Sequence, residues 1–477
     1  MNTNRPFDCG NLQPLALSRR DMLKGVSAGF GYLAFASLGS LSAAPYQSPL
    51  LPKAPHFAAR AKRVIFLSMQ GGPSHLDTFD YKPKLIADAG NTAPGKGKLV
   101  APVAQFKQRG QSGLWISDAF PRVAEHADKL CVLRGMHTDI PNHPQAFVQM
   151  HTGSARFVRP SLGAWTLYGL GTENQNLPGF ITIAAPIALG GAQNYGSAFL
   201  PASFQGTRLD GPPDAIVKGV KKGKDAMPAA SEAIGNIRNT HLSPAAQREQ
   251  LDLVQSMNRD LVARGANPEV EGIIQSYELA FRMQTEIPKV LDMSKESATT
   301  LKQYGVGEGP TNAFGKQCLM ARRFAEAGVR FIEVCHQGWD HHSGLKSRIA
   351  SSCNAVDQPI AGLLADLQQL DLLKDTLVVW GGEFGRTPGN GGADGRGHNS
   401  KGYSMWLAGA GIKPGLSFGA TDEYGAAAVE NKTHVHDLHA IILHQLGLDH
   451  EKLTYRYAGR DFRLTDVYGH VPKEILA

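Results

Sequence analysis

Three short motifs in the last third of the chain bring together carboxylates and imidazoles: Gly338-Trp339-Asp340-His341-His342, Gly382-Glu383-Phe384-Gly385-Arg386 and Gly395-Arg396-Gly397-His398-Asn399. Mixed oxygen and nitrogen donors suit a divalent transition metal (zinc, manganese or iron) better than calcium or magnesium, which favour oxygen alone. Asp340 and His342 are two residues apart, so in an extended loop they face one side while His341, the weaker ligand, faces the other. Glu383 and His398 are joined by a Gly-rich loop that permits close backbone approach. Read chemically, both are ligands and Arg386 pairs either the glutamate or an anionic substrate. Read structurally, the same stretch is a surface loop with an Arg/Glu pair.

Two further segments carry chemistry-bearing residues. In Gln70-Gly71-Gly72-Pro73-Ser74-His75-Leu76-Asp77-Thr78-Phe79-Asp80, His75 and Asp77 share a face if the backbone is extended and then aim at one ion. The alternative is that the aspartates cap a following helix, which is the reading preferred for Asp80. Asn142 to Gly153 reads as a loop entering a helix, with Asn142 at the cap and free N–H groups suited to a phosphate or sulfate.

Elements that would position these motifs alternate along the chain. Apolar runs at 63–69, 131–133, 180–183, 329–334, 376–380 and 404–408 read as strands, several ending in the polar motifs. Helical patterns lie between them at 320–327, stopped by Gly328, and at 355–370. The alternation predicts an α/β fold: a large, mainly parallel sheet covered by helices on both faces, with ligands at the carboxyl ends of the strands. Spacing of three and four among Leu, Ile, Phe and Met marks a helical insertion at about 229–303, within a domain spanning 62–477.

The chain has 477 residues, 42% hydrophobic and 19% charged, which is globular composition. Its net charge of +7 is diffuse, and the one dense basic run, Lys218 to Lys224, lacks interleaved aromatics, so no nucleic-acid partner is expected. Five cysteines without C-x-x-C spacing exclude a disulfide scaffold and a zinc ribbon. Arg19-Arg20 precedes a weakly apolar Gly/Ala/Ser-rich stretch and the small residues Ser42, Ala43 and Ala44. This order reads as a twin-arginine signal over 1–44, followed by a Pro/Ala-rich linker at 45–61. The stretch is too dilute in apolar residues for a spanning helix. The expectation is therefore a mature protein that does not span the membrane, is passed by the twin-arginine export machinery, and resides in the periplasm or outside the cell.

Taken together, the twin-arginine start, Gly71-Gly72-Pro73-Ser74-His75 with Asp77, Gly338-Trp339-Asp340 with His342, Gly382 to Pro388 and the Thr421-Asp422-Glu423 turn resemble an exported bacterial family, domain of unknown function 1501. That family in turn resembles the alkaline phosphatase and sulfatase superfamily. The resemblance implies an α/β sandwich with one or two metal ions, Glu383 and His398 among the ligands of one and Asp340 and His342 of the other. It also implies that Asp437 to Gly447 includes the superfamily's C-terminal helix. Aligning the superfamily's nucleophile helix on Thr152-Gly153 puts His143 where a Cys or Ser stands, and Phe384 takes the place of a usual His or Asn ligand. Attack by metal-activated water then remains, with His143 or Arg386 on the ester oxyanion and Thr138 as a second candidate nucleophile. Two functions follow. One is an exported metal-dependent hydrolase of phosphate or sulfate esters, on a small molecule or a polysaccharide. The other is a non-catalytic exported metal- or glycan-binding protein of the same fold.

If Arg19 and Arg20 are the export signal, replacing both with lysine traps the precursor in the cytoplasm, as fractionation and immunoblotting would read; normal export of that variant rules out the twin-arginine route.

Overall fold

A computed structural model describes residues 48–93, 97–210, 241–264, 268–307, 309–391 and 394–477. The twin-arginine segment and residues 229–240 of the expected insertion lie outside the described residues. Pro49–Ala477 forms one compact unit.

Its centre is a nine-stranded sheet. In chain order the strands are β1 (Arg63–Met69), β2 (Leu130–His137), β3 (Phe180–Ile183), β4 (Thr207–Leu209), β5 (Phe331–His336), β6 (Thr376–Gly381), β7 (Tyr403–Ala408), β8 (Leu416–Phe418) and β9 (Thr433–His434). Their spatial order is β8-β2-β7-β6-β1-β5-β3-β4, with β9 also paired to β2. All neighbours run parallel except β7, which is antiparallel to both β6 and β2. The expected mainly parallel sheet is therefore present, and the carboxyl ends of β1, β2, β5 and β6 all reach one edge.

Why these runs become interior strands follows from their composition. β1 is buried at every position, with Val64 and Phe66 in the apolar layer on one face and Ile65, Leu67 and Met69 in that on the other. β6 divides the same way, Leu377 and Val379 against Val378 and Trp380. A period of two with both phases apolar is what a strand covered on both faces requires. The covering helices include Asn312–Glu326 and Leu345–Gln369 on one face and Val435–Gln445 on the other. Leu345–Gln369 begins ten residues before the predicted 355, since Gly344 in a left-handed conformation starts it directly after the Asp340 motif. Of the insertion, Pro244–Arg264, Pro268–Leu291 and Ala298–Gln303 are helical.

Residues 53–61, expected as part of a linker, are pinned to the domain. Lys53 N–H donates to Leu170 O, His56 to Gly447 O and Arg60 to Gln445 O, each at 2.9 Å. The capping expectations are corrected. Asp80 caps no helix: it is buried against Lys82 Nζ at 3.1 Å and accepts from the Thr421 hydroxyl. Asn142 occupies the N-cap position of the helix His143–Thr152, but its side chain makes no capping bond. Cys131, Cys318, Cys335 and Cys353 are buried and unpaired, and burial drives every one of these thiols far up the pH scale, Cys131 to about 12.

One buried ion pair fixes the helix His143–Thr152 to the sheet. His151 Nε2 donates to Glu333 Oε1 on β5 at 2.6 Å, and its Nδ1 donates to Phe147 O at 2.7 Å. Thr182 Oγ1 also donates to Glu333, at 3.0 Å. Burial opposes both charges, yet each partner outweighs it, so the His151 pKa is raised and that of Glu333 lowered. The raised His151 pKa contributes stability in full below its ordinary 6.5 and loses it as pH climbs through the folded value. The lowered Glu333 pKa contributes above its ordinary 4.5 and loses it as pH falls. Replacing Glu333→Gln strands a buried imidazolium and costs about 3–5 kcal/mol near neutrality. Urea denaturation would read this, with the gap to the parent protein narrowing at both pH extremes; a loss below about 1 kcal/mol means that the pair is neutral.

Candidate metal centre

The site lies where the loops after β2, β5 and β6 meet. His143 opens the helix after β2, Asp340 and His342 follow β5, and His398 belongs to the two-residue strand His398–Asn399 paired with Gly385–Arg386 after β6. One ligand atom from each of His143, Asp340, His342 and His398 lies within 4.8 Å of all the others. His342 Nε2 is 2.9 Å from His398 Nε2 and 3.0 Å from Asp340 Oδ1. His143 Nε2 is 3.2 Å from the same oxygen but off the axis of a hydrogen bond, and it is buried without another partner.

These contacts test whether a metal fits. His398 Nδ1 donates to Pro141 O at 2.9 Å, which leaves the Nε2 lone pair facing the cluster. His143 Nδ1 donates to Glu383 Oε1 at 2.5 Å, which again frees Nε2. A carboxylate or carbonyl behind the imidazole is the usual orienting partner of a metal-ligating histidine. Three imidazole nitrogens and one carboxylate oxygen fit a divalent transition ion such as zinc. About half of the Asp340 and His342 side chains is exposed, 45% and 51%, so the centre opens to solvent.

Electrostatics reinforce that arrangement. Burial lowers the His143 imidazole pKa, but Asp340 and Glu383 more than offset it and bring it up to about 9. Burial opposes the charge on Asp340, while the His143 and His398 imidazoles and the Arg386 guanidinium around it hold its carboxyl well below the usual range. Burial lowers His342, with Asp340 opposing. The metal-free site thus sets a carboxylate between the His143 imidazolium and the Arg386 guanidinium, and His143 must release a proton to become a ligand.

Other sequence-derived candidates lie outside the cluster. Glu383 sits behind His143, buried, and accepts from Gly71 N at 3.1 Å and Gly72 N at 3.3 Å. A Cβ on Gly71 would approach Asp340 N to 2.7 Å, at a φ of +112°, so only glycine brings this turn so close to the Asp340 loop. His75 and Asp77 are not part of this cluster. Their segment is the helical turn His75–Thr78, in which residues two apart diverge rather than share a face. His75 Nε2 instead meets Gly425 O at 2.9 Å, and Asp77 pairs with Arg396 at 2.7 Å, both side chains fully buried. Arg386 has no exposed surface, and its donors go to Gly72 O at 2.9 Å, Gly71 O, Trp339 O, Arg396 O and Asp340 Oδ1 at 2.6 Å. It holds Asp340 in place. Thr138 is buried and donates to Gln149 Oε1 at 3.0 Å. His341 turns inward, as its place between Asp340 and His342 implied, with Nε2 3.2 Å from Ser352 Oγ.

His143 entered the sequence reading through the resemblance, as an ester-contacting or proton-moving residue; the structure adds it to the ligand cluster. Nothing local marks a histidine at a helix start as a ligand. Arg396 was passed over, although its glycine-flanked place in the third motif was a usable signal of close packing.

The profile of a family described as "Protein of unknown function (DUF1501)" matches residues 61–476. No curated protein matches the sequence. Similar solved structures include a lipoteichoic acid synthase from Listeria monocytogenes (8% identity, 87% of this chain and 78% of that one, TM-score 0.37). Others are a sulfatase from Pseudoalteromonas sp. (12%, 82% and 68%, 0.34) and a protein in the alkaline phosphatase superfamily from Vibrio parahaemolyticus (8%, 86% and 73%, 0.34). Overlap this loose fixes neither a shared site nor a shared reaction.

Elemental analysis of the folded protein separates ligands from neighbours. Asp340→Ala and His398→Ala should each lose most of the transition metal, whereas His75→Gln should keep it. Full metal in both of the first two variants removes them from the ligand set.

Proposed function

The chain belongs to the DUF1501 family, and from that premise we propose that it is an exported, metal-dependent hydrolase of phosphate or sulfate esters on a small molecule or a polysaccharide. The observation that carries this reading is the cluster of His143, Asp340, His342 and His398, half open to solvent at the edge where the strand ends meet. A second support is the start of the ten-residue helix His143–Thr152 at the same point, since helix N-termini favour anions. Export by the twin-arginine route rests on the sequence of residues 1–44; no helix among the described residues is long and apolar enough to cross a membrane.

In this reading one divalent transition ion, held by the four clustered side chains, supplies a positive charge that polarises an ester oxygen and acidifies water. The chain's own residues do the rest. Glu383 takes the Nδ1 proton of His143 in a hydrogen bond and fixes the ring. Arg386 orients Asp340 without reaching the substrate. His342, the most exposed of the four, borders the approach of the ester. The segment from Asn142 to Ala146 holds no Ser, Thr or Cys, and the Thr138 hydroxyl is committed to Gln149. These two facts oppose a covalent intermediate, and they also favour the second reading, a metal- or glycan-binding protein without turnover.

A screen of aryl phosphates, phosphodiesters and aryl sulfates with zinc, manganese and iron decides between the two. Hydrolysis is expected with at least one metal and lost in Asp340→Ala. Glu383→Gln should lower metal affinity or rate by about 10–100-fold, the usual effect of removing a partner behind a ligating histidine. No turnover on any ester at full metal occupancy leaves the binding-protein reading.

A further inference from the structure

The loop Thr138–Asn142 has two sides. On one, Pro141 O holds the His398 ring at the metal centre. On the other, Asp139 and Ile140 line a separate cleft of about 360 Å³, within the size range of small-ligand sites. One wall is the segment after the helix His143–Thr152, with Arg156, Phe157 and Arg159. The other is the hairpin formed by Tyr455–Tyr457 and Arg460–Phe462, continued by Arg463.

Charge in this cleft is lopsided. Four arginines face two aspartates, Asp139 and Asp466, along its walls. Arg460 pairs with Asp466 at 2.5 Å and Arg463 with Glu451 at 3.3 Å, whereas Arg156 and Arg159 have no ion pair among the described residues. The guanidinium carbons of Arg159 and Arg460 lie 4.4 Å and 4.8 Å from the centre of one ring, Phe462. Burial, and then Arg460, lower the Arg159 pKa, with Asp466 opposing only in part.

Aromatic surface adjoins this charge. Phe157 is 63% exposed and Tyr468 60%, both at the cleft. One face of each ring is already occupied: His436 stacks on Tyr468 at 5.2 Å and 23°, and the Arg159 guanidinium carbon lies 5.2 Å from the centre of Phe157. Only outer faces remain, a one-sided platform rather than a slot between two rings. The flat C–H face of a sugar ring packs on one aromatic face, as a nucleobase also can, so ATP is the informative comparator. His436, 4% exposed and lining the cleft, keeps a buried Nδ1 without a partner, a polar atom suited to a hydroxyl.

We propose that this cleft binds an anionic oligosaccharide, carboxylated or sulfated, with Arg156 and Arg159 on its charged groups and the outer faces of Phe157 and Tyr468 beneath its rings. The site stands apart from the metal centre and does not depend on hydrolysis. Calorimetric titration of the full mature chain with an oligogalacturonate hexamer and a heparin-derived hexasaccharide tests it, with cellohexaose and ATP as comparators. One or both acidic glycans should bind, more tightly than cellohexaose or ATP. Arg156→Glu, on an exposed side chain, and Arg159→Glu should each weaken that binding about tenfold or more, the loss of one charge-assisted contact. Phe157→Ala should weaken it with no change in metal content. Asp340→Ala should bind the glycan as the parent does, so failure of the hydrolase reading leaves this result untouched. Equal affinity for cellohexaose, tighter binding of ATP, unaltered binding by both arginine variants, or no binding of either acidic glycan overturns the proposal.

Discussion

The loops after β1, β5 and β6 at the candidate metal centre are tied to one guanidinium. Arg386 collects the carbonyls of Gly71 and Gly72 after β1, Trp339 after β5 and Arg396 after β6, and it ends on the Asp340 carboxylate. Burial pulls its pKa down and Asp340 opposes that, but a guanidinium stays charged under such pressure. An unpaired charge at this depth would cost several kcal/mol; with five acceptors the cost becomes a constraint on where three separate stretches of chain sit. Arg396 repeats the device one layer away, joining Asp77 to the carbonyls of Val100, Thr387 and Pro388. Two cations that never meet solvent therefore determine the shape of a site that does.

Above that base the imidazoles are oriented from behind. Glu383 sets His143, the Pro141 carbonyl sets His398, and both rings turn the same nitrogen toward Asp340. Glu383 is itself held by two backbone N–H groups of a Gly-Gly turn, so a change of side chain at Gly71 would be felt at Asp340 and His143 together.

The sheet was legible in the sequence because interior strands of a parallel sheet have little freedom: Arg63 to Met69 and Thr376 to Trp380 are apolar in both phases, and no other element tolerates that over so short a run. Asp340 and His342 were legible for a similar reason, since two-residue spacing in an extended loop has one geometric outcome. The condition of that rule is not met at His75 and Asp77, because His75–Thr78 is a helical turn and spacing of two there separates side chains. Arg386 was read as pairing either Glu383 or an anionic substrate, and Glu383 as a ligand; charge alone does not reveal depth, and the fold buries both, with Arg386 on Asp340 and Glu383 behind His143. Glu333 carried an unused signal, an acid inside the apolar strand Phe331–His336, which demands a buried partner that only the fold brings near.

The four sealed thiols have a consequence for the life of the chain. A cysteine reacts as the thiolate, and Cys131, Cys318, Cys335 and Cys353 are buried where that form is strongly disfavoured. Folded, the described domain offers an oxidant no accessible thiol. Threaded through a membrane as an open strand, it would offer those sulfurs to an oxidising milieu before the sheet had closed over them, and wrong crosslinks would compete with folding. A sequence with this cysteine pattern is safest when its final shape is reached on the reducing side.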